Sequence, residues 1–261
     1  MAKWTIRLVA LTYLAFLLVV PVAVVFYRTF EGGFGPFWDS LTTPEATHAF
    51  KVTIQVAVAT VVLNTVFGTL VSILLVRHQF RGKAILNVLV DLPLAISPVI
   101  VGLALILVYG RRTPVGEWFG DHAFNIMYAL PAMVIATVFI SLPLVVREVV
   151  PVLEEIGTEQ EQAASTLGAS AFQTFRRVTL PSIRWALAYG IVLTMARALG
   201  EFGAVAVVSG RVRNETQTVT LLVQERFNNF DRTGAYSLSF ALAVAAILTM
   251  LAFTAFRPKD R

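Results

Sequence analysis

The chain has 261 residues, of which 57% are hydrophobic and only 14% charged, and its mean hydropathy is +0.74. This composition excludes a soluble domain of this size and is typical of a protein that crosses a membrane several times. The net charge of +5 does not indicate nucleic acid binding, because the basic residues flank apolar runs, where they orient a membrane protein. The sequence contains no cysteine, which excludes disulfides and thiolate metal sites. The histidines His48, His78 and His122 lie far apart and outside the apolar runs, so we expect no metal centre.

Six apolar runs are long enough to cross a membrane, which takes about 20 residues per helix. These runs lie near Ile6–Tyr27, Thr53–Val76, Ile85–Tyr109, Tyr128–Val146, Ser182–Ser209 and Tyr236–Phe256. The first follows Lys3 and Arg7, is too long for the apolar part of a signal peptide and lacks a small-residue cleavage site, so we expect it to be retained. The pattern predicts an all-α polytopic membrane protein with six transmembrane helices, forming a single domain over residues 1–261.

The basic residues also predict the orientation of these helices. If the N-terminus is cytoplasmic, twelve Lys and Arg residues lie inside and eight lie outside. The short segment Arg77–Lys83, with three bases and no acid, strengthens this bias, because short loops weigh most in the positive-inside rule. Both termini are therefore expected in the cytoplasm, together with the polar segment Thr158–Pro181.

The outer segments differ in character. Arg28–Lys51 is rich in glycine and aromatic residues, which predicts a loop with an interfacial aromatic anchor. Gly110–Asp121 is short and polar. Gly210–Ala235 is the longest polar outer stretch, and it is interpreted either as a solvated loop or as a contact surface for an external partner.

Polar residues inside the fifth run mark a second region of interest, since such residues are costly in a membrane. Arg197 and Glu201 lie four positions apart, so on a helix they would share a face and pair. They belong to a stripe of small and polar residues at steps of three and four: Ala186, Gly190, Thr194, Arg197, Glu201 and Ala204. The stripe is interpreted either as lining a translocation path or gate, or as a structural ion pair in a close helix contact.

The third run contains a predicted distortion. Pro98, after Ser97, removes an internal helix hydrogen bond, so we expect a bent helix that could belong to a gate. Asp91 at the start of this run is interpreted as a helix cap. Asn64 in the second run is expected to form an interhelical hydrogen bond.

The polar segment Thr158–Pro181 predicts two short helices joined at a bend. Thr158 with Glu161, and Ser170 with Gln173, have the spacing of capping boxes. Gly168 between them suits a left-handed helix end, and Leu180-Pro181 is expected to stop the second helix. Two phenylalanines on the second helix would give this segment the character of a docking surface.

This segment resembles the EAA loop of ABC-importer permeases. Gln162-Ala163-Ala164, Gly168, Val178 and Leu180-Pro181 reproduce the spacing of that loop, with Gln162 and Val178 in place of its Glu and Ile. The resemblance implies that Thr158–Pro181 is a coupling loop that docks on a cytoplasmic ATPase. The implied coupling residues are Gln162, Ala163, Ala164, Gly168, Phe172, Leu180 and Pro181. The alternative is an ordinary amphipathic cytoplasmic loop.

The resemblance extends over nearly the whole chain. Residues 91–110 and 176–210 look like the sulfate/thiosulfate permeases of the CysW type, and the related molybdate permeases share the Asp-Leu-Pro and Glu-Phe-Gly-Ala elements. This implies a type I ABC-importer permease fold and one half of a sulfate importer channel. The alternatives are a permease for molybdate or tungstate, a secondary transporter and a membrane scaffold protein.

The same resemblance implies the partners. They are a second, CysT-like permease, two ATPase subunits and a periplasmic or lipid-anchored sulfate-binding protein, in a bacterial inner membrane. The chain itself has no Gly-rich phosphate loop of the ATPase type, so ATP and Mg²⁺ are expected on the partner ATPase and no cofactor is expected here.

Overall fold

The computed structural model describes residues 2–121 and 126–256. His122 and the C-terminal bases Arg257, Lys259 and Arg261, which entered the metal and orientation predictions, lie outside these ranges. The described residues form helices and connecting turns, with no strand among them. The helices are α1 Ala2–Leu14, α2 Val20–Phe30, α3 Phe34–Thr42, α4 Pro44–Arg77, α5 Lys83–Ala95, α6 Pro98–Tyr109, α7 Pro114–Asp121, α8 Leu130–Ile156, α9 Glu159–Thr166, α10 Ala171–Thr174, α11 Leu180–Leu199, α12 Val205–Val208, α13 Val219–Asn228 and α14 Arg232–Phe256.

Five of the six predicted runs form a continuous helix that is long and apolar enough to cross a membrane. These spans are Trp4–Phe30, Pro44–Arg77, Leu130–Ile156, Ala171–Leu199 and Arg232–Thr254. The third run is instead a bent pair, α5 and α6, whose axes differ by 116°. Pro98 is the first residue of α6, where its missing N–H leaves no broken hydrogen bond. The predicted bend is therefore confirmed, but it is a complete break of the helix rather than a kink.

Three helices, α4, α8 and α11, form the centre of the bundle. Their close approach depends on glycines that face Val145 of α8. A Cβ atom added to Gly68 of α4 would lie 2.8 Å from Val145 Cγ1, and one added to Gly190 of α11 would lie 3.0 Å from Val145 Cα. The predicted polar contact is also present, because Asn64 Nδ2 donates to Ser141 Oγ at 2.8 Å between two fully buried side chains. Small residues thus let these three backbones pack as one unit.

The first span lies on the outside of this bundle. It runs from α1 through a π-helical turn at Ala15–Val19 into α2, and its apolar side chains are almost all exposed. Its C-terminal end is attached by aromatic contacts, since the Phe30 ring lies 5.3 Å from the ring of Phe240 on α14 and 5.1 Å from that of Phe37. In a membrane the exposed face of this span contacts lipid or another protein chain.

The prediction of a loop over Arg28–Lys51 is wrong. Most of the segment is helical, because α2 continues to Phe30, α3 follows and α4 begins at Pro44. Thr43 caps α4, its hydroxyl oxygen accepting from the Ala46 N–H at 3.2 Å. Phe34 and Trp38 are exposed on α3 while Phe37 is buried, so the proposed interfacial anchor remains a prediction for the two exposed rings.

The segment Gly210–Ala235, interpreted either as a solvated loop or as a contact surface for an external partner, is not a loop throughout. This segment contains α13, whose side chains Val219, Leu221 and Leu222 are buried against the bundle. Arg226 of α13 donates to Thr43 Oγ1 at 2.9 Å, which ties the helix to the start of α4. The polar composition of the segment suggested a loop, because the apolar residues of α13 are few and concentrated in its first turn.

Candidate functional site

The segment Thr158–Pro181 has the predicted helix–bend–helix form. α9 ends at Thr166, and Gly168 adopts a positive φ of 85°, which glycine tolerates far better than other residues. The bend is closed by backbone hydrogen bonds from the Gly168 and Ala169 amides to Ser165 O and Ala164 O, both at 3.0 Å. Both halves of the predicted capping box between Ser170 and Gln173 are present at the start of α10.

The capping box predicted at Thr158 is absent. The Thr158 hydroxyl accepts from the Gln162 side chain at 2.9 Å instead of from the backbone, and Glu161 points away from the helix start. The Glu161 carboxylate binds Arg77 at the end of α4 and the hydroxyl of Thr179. A tertiary ion pair has therefore replaced the local cap, which the sequence spacing alone could not reveal.

Exposed apolar side chains give this loop the character of a docking surface. Leu167 is 88% exposed and Phe172 is 70% exposed, and they flank the bend at Gly168. Gln162 and Ala163 are also exposed, whereas Ala164 is half-buried. Leu167 was not among the predicted coupling residues. The signal that could have found it is a leucine directly before the turn glycine in an otherwise polar segment.

Leu180-Pro181 does not stop the second helix, contrary to the prediction. α10 continues through a π-helical turn at Phe175–Thr179 into α11, and Ala171–Leu199 forms one continuous span. The Leu180 N–H donates to Phe175 O, five residues back, which closes the π-helical turn. Pro181 has no backbone N–H, and the helix requires no hydrogen-bond donor at this position. The extra residue in the turn accommodates the proline, so α10, which carries Phe172, and the fifth span are parts of one helical rod, whereas Leu167 lies in the preceding bend.

A second group of predicted site residues lies at the far end of this rod. The fifth span ends at Leu199, not at Ser209 as predicted, and a non-helical segment of residues 200–204 separates it from α12. Arg197 and Glu201 do pair, with Arg197 Nη1 2.7 Å from Glu201 Oε2. They do so across a helix end rather than on one helix face.

Glu201 satisfies the backbone of this break. Its Oε1 accepts from the Ala204 N–H at 3.0 Å, and its main-chain carbonyl accepts from Thr220 Oγ1 at 2.8 Å. The Glu201 side chain is 1% exposed, whereas that of Arg197 is 37% exposed. The carboxylate is thus buried and stabilises the break, while one side of the guanidinium is exposed on the surface of this chain.

The break at Glu201 contacts the break at Pro98. A Cβ atom on Gly203 would lie 2.8 Å from Pro98 Cβ, and one on Gly102 of α6 would lie 2.9 Å from Val207 Cβ of α12. The two predicted groups, Ser97-Pro98 and Arg197-Glu201, therefore occupy neighbouring positions although they are about 100 residues apart in the chain. Ser97 is exposed beside this contact.

The structure also bears on two other interpretations of span residues, namely the helix cap at Asp91 and the stripe of small and polar residues on α11. Asp91 is not a cap, because it lies inside α5 and its carboxylate accepts from Arg147 Nε of α8 at 2.7 Å. The stripe on α11 does not form a single exposed face. Gly190, Thr194, Glu201 and Ala204 are buried in the bundle, whereas Ala186 and Arg197 are partly exposed.

The architecture defines the class of protein. A chain of the bacterial alginate ABC transporter, solved in complex with an alginate pentasaccharide-bound periplasmic protein, matches with a TM-score of 0.81 over 97% of this chain and 92% of that chain. Its sequence identity is 15%, so the match establishes the fold alone. The fold is that of the type I ABC-importer permeases, as the sequence predicted.

Sequence relatives narrow the class. Residues 64–259 match the family of the binding-protein-dependent transport system inner membrane component. The sulfate transport system permease protein CysW of Synechocystis sp. is 45% identical over 95% of this chain and 90% of that protein. The sulfate transport system permease protein CysT of the same organism is 38% identical over 93% of this chain and 87% of that protein. The chain therefore belongs to the binding-protein-dependent inner membrane transport components, in their CysW-type branch. It is a membrane transport component rather than an enzyme.

Proposed function

We propose that this chain is the permease subunit of an ATP-driven sulfate/thiosulfate importer and forms half of its translocation pathway. The observation that carries the proposal is the 45% identity to a CysW sulfate permease over 95% of the chain. The exposed apolar residues of the coupling loop add a physical reason, since Leu167 and Phe172 would be buried by a docked protein. A secondary transporter has no need of such a surface.

The proposed assembly contains this chain as a single transmembrane domain over residues 1–261, with the coupling loop 158–181. A second, CysT-like permease would complete the channel, and two ATPase subunits would bind ATP and Mg²⁺. A periplasmic or lipid-anchored binding protein would deliver the oxyanion. We assign ATPase coupling to the exposed apolar surface of the loop and to its helix bend. The residues are Gln162, Ala163, Ala164, Gly168, Phe172, Leu180 and Pro181, and we add Leu167 because its apolar side chain is exposed beside the bend.

The translocation path is assigned to the two contacting helix breaks, with Arg197, Glu201, Ser97 and Pro98. Arg197 lies about 25 Å along the helix from Leu180, so its half-exposed guanidinium would be deep in the membrane. A charge at that depth is costly against lipid, and its open side is better placed toward a polar path or a second protein chain. The path would then run along the surface that the second permease covers.

Uptake of labelled sulfate tests the proposed function. A bacterial strain in which the gene for this chain is deleted should lose sulfate uptake, and the gene on a plasmid should restore it. Excess unlabelled thiosulfate should compete, while excess molybdate or tungstate should leave the uptake within about twofold. Normal sulfate uptake in the deletion strain would contradict the proposal, and strong competition by molybdate alone would favour the other oxyanion branch.

Cysteine labelling tests the proposed orientation, with both termini in the cytoplasm. Because the chain has no cysteine, single variants give a clean signal. Leu167→Cys on the coupling loop should react only after the membrane is permeabilised. Gly35→Cys on α3 should react from outside, and its new side chain has open space around it. Labelling of Leu167→Cys in intact cells would reverse the topology.

A further inference from the structure

The carboxylate of Glu161 connects three elements at one end of the bundle. Arg77, the last residue of α4, donates from Nε to Glu161 Oε2 at 2.8 Å, and Thr179 Oγ1 donates to Glu161 Oε1 at 2.8 Å. Glu161 belongs to α9, and Thr179 ends the π-helical turn that leads into α11. One side chain thus joins α9 to the end of α4 and to the turn that leads into α11.

Arg77 adds a third span to this connection. Its Nη1 donates to Leu153 O at 2.9 Å and its Nη2 donates to Gly157 O at 2.8 Å, at the C-terminal end of α8. The last carbonyls of a helix have no partner within the helix and carry negative partial charge, so a guanidinium is well suited to bind them. The Arg77 side chain is 11% exposed, and these acceptors occupy its donors with geometry that a lysine cannot reproduce.

Apart from these hydrogen bonds, α9 makes little packing contact with the spans. α9 buries none of its side chains, and its glutamines and alanines face outward or are half-buried. Because α9 buries no side chain, helix packing couples it only weakly to α4. The hydrogen-bonded group Arg77–Glu161–Thr179, which we call the loop clamp, provides a short and directional connection instead.

We propose that the loop clamp transmits movement of α9 in the docked coupling loop to spans α4 and α8, and ties that movement to the turn that leads into α11. The proposal rests on the proposed function, because it requires an ATPase on the coupling loop. Arg77, Glu161 and Thr179 are positioning residues, because they act through the coupling loop. With the clamp broken, the loop still presents Leu167 and Phe172 to the ATPase and α10 still continues into α11, but movement of α9 is no longer passed to α4 and to the end of α8 through Arg77. Docking and transport should then separate.

The experiment uses the complete transporter, co-expressed from the genes of its own transport system. Variants Arg77→Lys, Glu161→Gln and Thr179→Val each weaken the clamp. Matched controls outside the coupling loop are Arg81→Lys in the α4–α5 turn, Glu155→Gln at an exposed carboxylate near the end of α8, and Thr47→Val, whose exposed hydroxyl donates to backbone carbonyls at the start of α4. Three quantities are measured: ATPase co-purified with the permease, ATP hydrolysis, and sulfate uptake.

We expect the clamp variants to retain ATPase binding and ATP hydrolysis within about twofold of the wild type. Their uptake per ATP hydrolysed should fall about tenfold for Arg77→Lys and less for Thr179→Val, within the usual range of coupling between sites. The controls should leave all three quantities unchanged. A merely structural role would instead lower ATPase binding and uptake in parallel.

Several outcomes would overturn the inference. Uptake per ATP equal to that of the controls would do so, as would a loss of ATPase binding that accounts for the whole loss of uptake. If Arg77→Lys fails to accumulate in the membrane, Thr179→Val decides, since it removes one hydroxyl and leaves both charges. A wild-type transporter that neither binds an ATPase nor moves sulfate would instead refute the proposed function, and the inference with it.

Discussion

The chain interrupts its helices in two contrasting surroundings. The coupling loop breaks at residues 167–170, which are mostly exposed, and the fifth span ends at a break over residues 200–204, where Glu201 and Ala204 are buried. At the open break a glycine with positive φ and a serine cap are sufficient. At the buried break, the Glu201 side chain holds the Ala204 amide, and Thr220 on α13 holds the Glu201 carbonyl.

The difference follows from solvation. Water can satisfy any backbone group that the turn at Gly168 leaves unpaired, so only the conformation of the turn has to be encoded. Within a membrane no water is available, and each freed amide or carbonyl costs several kcal/mol unless protein atoms bind it. The buried break therefore needs partners from distant segments, and its failure should be more damaging than failure of the open one.

The largest effect is expected from Glu201→Ala. This change leaves the Arg197 charge and the Ala204 amide without their partner, and removing one member of a buried pair costs about 3–5 kcal/mol. The variant should fail to accumulate as folded protein, as measured by fluorescence-detected size exclusion in detergent. Glu155→Ala, at an exposed carboxylate near the end of α8, is the control and should accumulate normally.

The double variant Arg197→Ala/Glu201→Ala separates the structural role from a role in transport. It removes both charges, so it should recover folding relative to Glu201→Ala. If Arg197 assists the passage of a dianion, sulfate uptake should stay lost in the double variant, and Arg197→Lys alone should keep part of it. Near-normal uptake in the double variant would reduce Arg197 to a structural residue.

Local signals were sufficient to predict the open break and insufficient for the buried one. The bend at Gly168 and the cap at Ser170 depend on residues within a few positions, and the sequence predicted both. The spacing of Arg197 and Glu201 equally suits a continuous helix, and the sequence predicted one. The contact of Gly203 with Pro98, which joins segments about 100 residues apart, leaves no local pattern.

The same distinction holds for the rest of the fold. The long apolar runs predicted the spans, because a membrane-crossing helix is defined by length and hydropathy along the chain. Glu161 has the spacing of a capping box, yet it binds Arg77, 84 residues away in sequence. α13 was missed because its buried face consists of only a few residues in a polar segment. Tertiary contacts determine the structure at these positions, and such contacts cannot be inferred from local patterns in a single sequence.

A smaller effect is expected from Gly203→Ala, which tests the contact between the two breaks. The added methyl group would lie 2.8 Å from Pro98 Cβ, so the two segments must separate. Overpacking of this kind costs about 1–3 kcal/mol. Thermal unfolding in detergent should shift to lower temperature, and sulfate uptake should fall. Gly200→Ala is the matched control, since its nearest atom would be 3.8 Å away. Equal shifts in the two variants would show that the Gly203–Pro98 contact has no special role.

The smallest effect on stability, and the one confined to docking, is expected from Gly168→Val. A Cβ at this position meets no atom within 4 Å, so the penalty comes only from the left-handed backbone and the β-branch, at about 1–2 kcal/mol. Gly82→Val is the matched control, because Gly82 also has a positive φ, 98°, and equally open surroundings in the turn before α5.

Both variants should accumulate in the membrane at the wild-type level. ATPase co-purification should fall about five- to tenfold for Gly168→Val only, since a strained turn disturbs binding where the ATPase docks. Equal losses in both variants would mean that any strained cytoplasmic turn releases the ATPase. No loss of ATPase co-purification in either variant would indicate that the coupling loop is not part of the ATPase docking site.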